Sequence, residues 1–342
     1  FVSMAAGLLV AASLPPWGFW PLAIVGLGLW EWSMAGRRGR FRSLLTAVFV
    51  VSWLAPGMGW MWQFTVPGFV LVLVLFAGYH ALAVLALPGP PNDRWRWLAL
   101  PAAFAAAEAL RFCFPFGGVP LASLPLGQVS GPLVGVSRIG GPVLLTFVTA
   151  FIGTNIRRAV QPLVVRSCST ARRLGNIGVV GAVATVPVLV LVGSMVPRGT
   201  ETGRSVTITI VQGGGEQGTR AIRTIPRLAL NRALTVTKSI TTKTDLVIWP
   251  ENVVNVPNLS SSRALQEVAA EAARLNAPLV VGITERDSDP RRFRNAQVVV
   301  LGDGSVMSRY EKKRRVPFGE YMPWRSFLHS LGVPTELVDR KS

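Results

Sequence analysis

The chain has 342 residues, of which half are hydrophobic and only 15% charged, and its mean hydropathy is +0.43. An ordinary soluble domain carries about 25% charged residues, so the composition excludes a simple soluble globule and favours an integral membrane protein. The formal charge of +18 would suggest nucleic acid only if the basic residues formed one folded surface.

They do not. Phe1 to Pro197 holds 13 Lys or Arg and 3 Asp or Glu, and Arg198 to Ser342 holds 22 and 14. The first part is a series of apolar runs with short basic loops, and the second mixes apolar and polar residues like a folded aqueous domain. Two domains are expected, a membrane domain over 1–197 and a second domain over 198–342, with no nucleic acid as partner. The two cysteines, Cys113 and Cys168, give no disulfide framework and no metal-ligand cluster. No metal and no cofactor are expected. The sequence opens at Phe1 inside an apolar run, as a shortened N-terminus would.

A helix needs about 20 apolar residues to cross the hydrocarbon core, because its backbone polar groups must be bonded internally there. Phe1 to Trp30 is uncharged but broken by Pro15 and Pro16, which predicts two helices meeting at a turn. Leu44 to Phe64 predicts a third, Val66 to Leu87 a fourth and Trp97 to Phe112 a fifth carrying Glu108 and Arg111. Ile139 to Ile156 and Leu174 to Pro197 predict the sixth and seventh. The connection from Phe112 to Ser137 contains Pro115, Pro120, Pro125 and Pro132 and cannot be one straight helix. It reads equally as a segment re-entering the membrane or as a buried structural loop.

Eleven of the 13 basic residues of this half fall in three alternate loops: Arg37, Arg38, Arg40 and Arg42; Arg94 and Arg96; and Arg157, Arg158, Arg166, Arg172 and Arg173. Short basic loops stay in the cytoplasm, so the seventh helix exits outward and the second domain is expected on the extracytoplasmic face. Glu108 and Arg111 stand i, i+3 on one helix, where pairing lowers the cost of buried charge. A structural ion pair is the expected role.

Beyond Arg204 the pattern turns to strands and helices. Ser205 to Val211, Asp245 to Trp249, Pro278 to Thr284, Asn295 to Leu301 and Val306 to Tyr310 read as strands, and Ala221 to Ile240 and Ser260 to Leu275 as helices. This predicts an α/β fold. Two segments just past strand ends stand out, where such folds collect functional groups. In Leu246-Val247-Ile248-Trp249-Pro250-Glu251-Asn252 a Pro stops an apolar strand and leaves Glu251 at its edge. A carboxylate that loses hydration beside apolar strands becomes a better proton acceptor near neutral pH, whereas a solvated loop Glu would do nothing. In Tyr310-Glu311-Lys312-Lys313-Arg314-Arg315-Val316-Pro317-Phe318-Gly319-Glu320-Tyr321-Met322-Pro323, a basic run precedes a rigid turn that fixes Glu320. The run by itself reads as a solvated face or a patch for anionic headgroups.

The pair "IWPEN" and "YEKKRRVPFGEYMP" resembles the nitrilase superfamily, and the "PFGEYMP" ending resembles its membrane-bound branch, apolipoprotein N-acyltransferase. The resemblance implies several membrane helices followed by an extracytoplasmic αββα nitrilase-type domain. It further implies a Glu, Lys, Cys triad, in which Glu251 matches the general base and Lys312 the lysine that neutralises the oxyanion. Glu320 matches a second active-site glutamate, and Asn295, in "RNAQVVV", a supporting asparagine. The nucleophilic cysteine would follow Lys312 by several tens of residues, so by this resemblance the chain is incomplete before its nucleophile. The loop after the first strand departs from the family's "VQGN", since Gly213-Gly214-Gly215 follows Val211-Gln212. Implied partners are a phospholipid acyl donor, the diacylglyceryl-cysteine of an apolipoprotein as acceptor and, as in some actinobacterial members, a polyprenol mannosyltransferase. A membrane-tethered nitrilase or amidase acting on small amides is the competing enzyme class, although a tether needs one helix rather than seven. A non-catalytic scaffold is the third reading, and the retained acidic and basic motif residues weigh against it.

Overall fold

The structure is a computed structural model that describes residues 1–63, 66–89, 95–164, 184–196, 199, 202–214, 226–286, 293–314, 316 and 324–330. The chain divides into two compact units, Phe1–Thr200 and Glu201–Ser342.

The first unit is helical: α1 (Val2–Ser13), α2 (Pro21–Met34), α3 (Gly39–Gly57), α4 (Val66–Leu85), α5 (Arg96–Cys113), α6 (Ser137–Val164) and α7 (Ala184–Met195). Pro15 and Pro16 sit in the turn between α1 and α2, and Pro21 occupies the first turn of α2, where its missing N–H costs nothing. Two stretches, Val66–Leu85 and Pro132–Ile156, are long and apolar enough to cross a membrane among the described residues. On α4, Leu71, Val74 and Leu82 are more than 60% exposed, so this helix presents an apolar outer face.

Several boundaries differ from the sequence reading, among them the end of α3, which falls at Gly57 rather than Phe64, with Gly59–Gln63 in a 3-10 turn. Helix α3 begins at Gly39, which puts Arg40 and Arg42 in its first turn instead of in a loop. The reason is a cap: the buried Arg42 guanidinium donates to the carbonyls of Leu87 (2.8 Å) and Pro88 (3.2 Å), beyond the end of α4. Carbonyls past a helix end lack intrahelical donors, and a side chain can supply them. Helix α6 likewise runs on to Val164, through Arg157 and Arg158, after a break at Gly140 and Gly141. The part of the seventh predicted helix before Ala184 lies outside the described residues.

The proline-rich connection between α5 and α6 folds into two 3-10 turns, Leu124–Gln128 and Pro132–Val136. It packs into the helical unit: Leu124, Gln128 and Val136 are fully buried, and the Gln128 amide donates to the Trp20 carbonyl at 3.0 Å. At the centre, Trp30 stacks on Phe49 (5.0 Å between ring centroids), and Trp53 stacks on Phe104 (6.0 Å). Such pairs contribute about 0.5–1.5 kcal/mol each beyond burial. Helix α1 reaches α3 through Gly7, where any Cβ would strike the Phe49 carbonyl oxygen.

The second unit is α/β. Its strands are β1 (Ile208–Ile210), β2 (Leu246–Ile248), β3 (Val254–Asn255), β4 (Leu279–Arg286), β5 (Phe293–Val300) and β6 (Val306–Glu311). They form one mixed sheet in the order β1-β2-β4-β5-β6, with β3 also on β4. Strands β1, β2 and β4 are parallel, and β5 and β6 continue the sheet antiparallel. Residues of a strand alternate between faces. Val247, Trp249, Leu279, Val281, Ile283, Ala296, Val298 and Val300 share one face and bury in a core with α8 (Pro226–Lys238) and α9 (Arg263–Leu275). Helix α9 starts at a Ser262 cap, whose hydroxyl accepts from Leu265 N–H (3.3 Å). On the opposite face Ile208 and Ile210 are 50% and 77% exposed. The described residues therefore supply one sheet and one helix layer, and a second sheet of a sandwich is not among them. A short helix, α10 (Arg325–Ser330), follows the sheet.

Candidate functional site

Glu251 sits at the top of an extrusion from the sheet. Strand β2 pairs with β4 as far as Ile248 opposite Val280, and β3 resumes with Val254 opposite Ile283. Six residues advance on one side against three on the other, so Pro250, Glu251 and Asn252 are pushed out of line. The bulge is fixed at both feet, because Trp249 N–H donates to Val280 O (2.8 Å) and Val253 N–H to Gly282 O (3.0 Å). Trp249 is fully buried, and its indole N–H donates to Thr237 Oγ1 at 3.0 Å, so the N-terminal foot is anchored in the core.

Thr284 on β4 pairs with Asn295 on β5, and Lys312 N–H donates to Asn295 O at 2.9 Å. Alternation puts Thr284, Asn295 and Lys312 in a row on the face opposite α8 and α9. Glu251 leans onto this row. Its Oε1 accepts from Asn295 Nδ2 (2.5 Å) and from Lys312 Nζ (2.9 Å). Residues 44 and 61 positions from Glu251 in the sequence thus meet at one carboxylate oxygen.

Glu251 is 51% exposed and Lys312 27%. The loss of hydration expected for Glu251 from its apolar strand is therefore not produced by the described residues. An exposed pair of this kind contributes only about 0–1 kcal/mol to stability. Its effect is geometric: a carboxylate and an ammonium are held side by side, one able to take a proton and the other to face developing negative charge. Arg309, two residues before Glu311, serves a separate network. Burial works against its charge, but hydrogen bonds to Glu285 and Glu311 outweigh this and hold it above the usual guanidinium value.

Of the residues singled out in the sequence, the structure brings Glu251, Asn295 and Lys312 together. Glu320 lies outside the described residues. Cys113 is exposed at the end of α5 in the helical unit, and Cys168 lies outside the described residues. Among the described residues no cluster of three or more His, Cys, Asp or Glu could hold a metal ion. Sequence reasoning misses Gly282, Thr284 and Gln297, whose amide donates to Trp249 O at 3.3 Å. They are linked to Glu251 only through strand register, which no local motif announces.

The helical unit holds a buried ionic group. Glu108 and Arg111 form the expected pair as a two-pronged contact, Nε to Oε1 at 2.8 Å and Nη2 to Oε2 at 2.9 Å. His80 from α4 adds a third member, with Nε2 3.5 Å from Glu108 Oε1. All three are 1% exposed or less. Arg111 Nη1 also donates to Leu121 O (2.7 Å), and Leu124 N–H donates to Glu108 Oε2 (3.4 Å), so the group ties the 3-10 turns to α5.

Comparison with known proteins gives a consistent result. Residues 6–154 match the apolipoprotein N-acyltransferase N-terminal domain. Over 95% of its length the chain is 24% identical to the apolipoprotein N-acyltransferase of Vibrio cholerae serotype O1. Over 96% of its length it is 28% identical to the proteins of that name from Pseudomonas aeruginosa and from Mycolicibacterium smegmatis. It spans 66% of the first two relatives and 59% of the third. The matches run through both its helical and its α/β unit, so the chain is similar to apolipoprotein N-acyltransferases along nearly its whole length.

Proposed function

We propose that the full-length protein moves an acyl chain from a phospholipid, through a cysteine thioester, to the N-terminal diacylglyceryl-cysteine of apolipoproteins. Residues 1–197 form a multi-pass membrane domain of about seven helices, and residues 198–342 belong to an extracytoplasmic nitrilase-like domain. The observation that carries the reading is the meeting of Asn295 and Lys312 on one oxygen of Glu251. Residues 198–342 contain no cysteine, so the nucleophile that this reading requires is not among them.

Glu251 takes the thiol proton, and the thiolate attacks the ester carbonyl of the phospholipid. The tetrahedral oxyanion faces the Lys312 ammonium, which neutralises it. Collapse expels the lysophospholipid alkoxide, which receives the proton from Glu251 and leaves the thioester. The α-amino group of the acceptor then attacks this thioester. It gives its proton to Glu251, which returns it to the departing thiolate. Asn295 orients the carboxylate, and Glu320 is the second active-site glutamate. Substrates anchored in the outer leaflet suit an extracytoplasmic site. A polyprenol mannosyltransferase as working partner rests on the family resemblance alone.

The test is made in the gene extended past Ser342, with transfer to a diacylglyceryl lipopeptide followed by mass. Glu251→Gln and Lys312→Met should each lower turnover at least roughly a hundredfold. Neither variant should accumulate acyl-enzyme. Near-normal transfer by both would overturn the assignment.

A further inference from the structure

We infer that Gly282, Asn252 and Thr284 act as positioning residues that aim Glu251 at Lys312, an inference that rests on reading Glu251 and Lys312 as a working pair. A three-residue extrusion is floppy unless it has a floor and a lock. Gly282 is the floor. A Cβ at this position would strike the Pro250 carbonyl oxygen and stand 2.6 Å from Glu251 Cα and 3.0 Å from Asn252 N. Only a residue without a side chain lets the bulge lie down on β4. Asn252 is the lock. Its φ of +61° turns the chain back toward β3, a conformation that asparagine tolerates better than most residues. Its Oδ1 accepts from Thr284 Oγ1 at 2.7 Å.

The lock acts on the same row that carries the site. Thr284 is paired with Asn295 across the β4–β5 ladder, and Asn295 donates to Glu251. One strand position thus holds the turn after Glu251, and its cross-strand neighbour holds the Glu251 carboxylate. Displacing the bulge withdraws Glu251 from Lys312 without touching either side chain.

The prediction is tested on the chain as it stands, by limited acetylation with acetic anhydride and tandem mass spectrometry of Lys312. The exposed Lys238 on α8 is the internal reference. Glu251→Gln sets the scale and should raise relative Lys312 labelling roughly two- to fivefold, the range for losing an exposed ion pair. Thr284→Val and Gly282→Ala should approach that rise, and Thr284→Ser should return to the parent rate. Asn252→Gly keeps the left-handed turn available but loses the lock, and should also raise labelling. Parent-like labelling in Thr284→Val and Asn252→Gly, with a rise in Glu251→Gln, would overturn the clamp. No rise in Glu251→Gln would instead overturn the pair on which it rests. If Thr284→Val or Gly282→Ala also raised Lys238 labelling through unfolding, Asn252→Gly against Thr284→Ser decides.

Discussion

Glu108 shows how little room a buried charge leaves. Its two oxygens take Arg111 at 2.8 and 2.9 Å, the Leu124 N–H at 3.4 Å, and lie 3.5 Å from His80. Removing one member of a buried pair strands the other, at a cost of about 3–5 kcal/mol, whereas replacing both by apolar residues of similar volume is often neutral. Glu108→Ala should therefore lower the unfolding temperature of the detergent-solubilised protein sharply. Glu108→Leu combined with Arg111→Met should recover much of the loss, and equal destabilisation by both would show that the pair is not what holds the 3-10 turns. At the α/β unit, Lys313→Ala and Arg314→Ala should keep most transfer activity in the extended enzyme, because both side chains are exposed, whereas Lys312 is bonded to Glu251. Any effect they have should shrink in high salt. At this scale the sequence is informative where function sits in short motifs, as for Glu251, Asn295 and Lys312. It is silent where partners meet through packing. His80 is a lone histidine in an apolar helix 28 residues before Glu108, and Thr284 is an ordinary strand threonine until register sets it beside Asn295.

Element boundaries follow rules that composition only partly reveals. Apolar runs mark α4 and α5 to within two residues, because these helices begin and end where charge and proline do. Hydropathy misplaces the start of α3, since it treats Arg42 as a loop residue while its guanidinium caps carbonyls beyond α4. Strand β3 leaves no sequence signal because it is two residues long and is defined by pairing to β4 alone. Glycines within the helices separate into two kinds that sequence cannot distinguish. Gly7 is pressed against the Phe49 carbonyl, while a Cβ at Gly78 would meet nothing within 4 Å. Gly7→Leu should force α1 off α3 and cost on the order of 1–3 kcal/mol or more. Gly78→Ala should be neutral or stabilise by up to about 1 kcal/mol, through helix propensity. Thermal unfolding of the two variants side by side checks this, and similar melting temperatures for both would contradict the described α1–α3 packing.

For the whole molecule, the proposed chemistry depends on which side of the membrane the Glu251–Lys312 pair faces, because both proposed substrates are held in the outer leaflet. Charge bias is the basis for that orientation: 11 of the 13 basic residues in 1–197 fall in three alternate segments. The finding that Arg40 and Arg42 begin α3 moves two of them from a loop to a helix end and leaves the bias at the same end of that helix. The most direct measurement fuses a reporter active only outside the cytoplasm, once after Ser342 and separately at Arg166. The account predicts an active reporter after Ser342 and a silent one at Arg166. The reverse pattern would place the carboxylate and ammonium in the cytoplasm, away from the outer-leaflet lipids, and would contradict the orientation and the substrate assignment together.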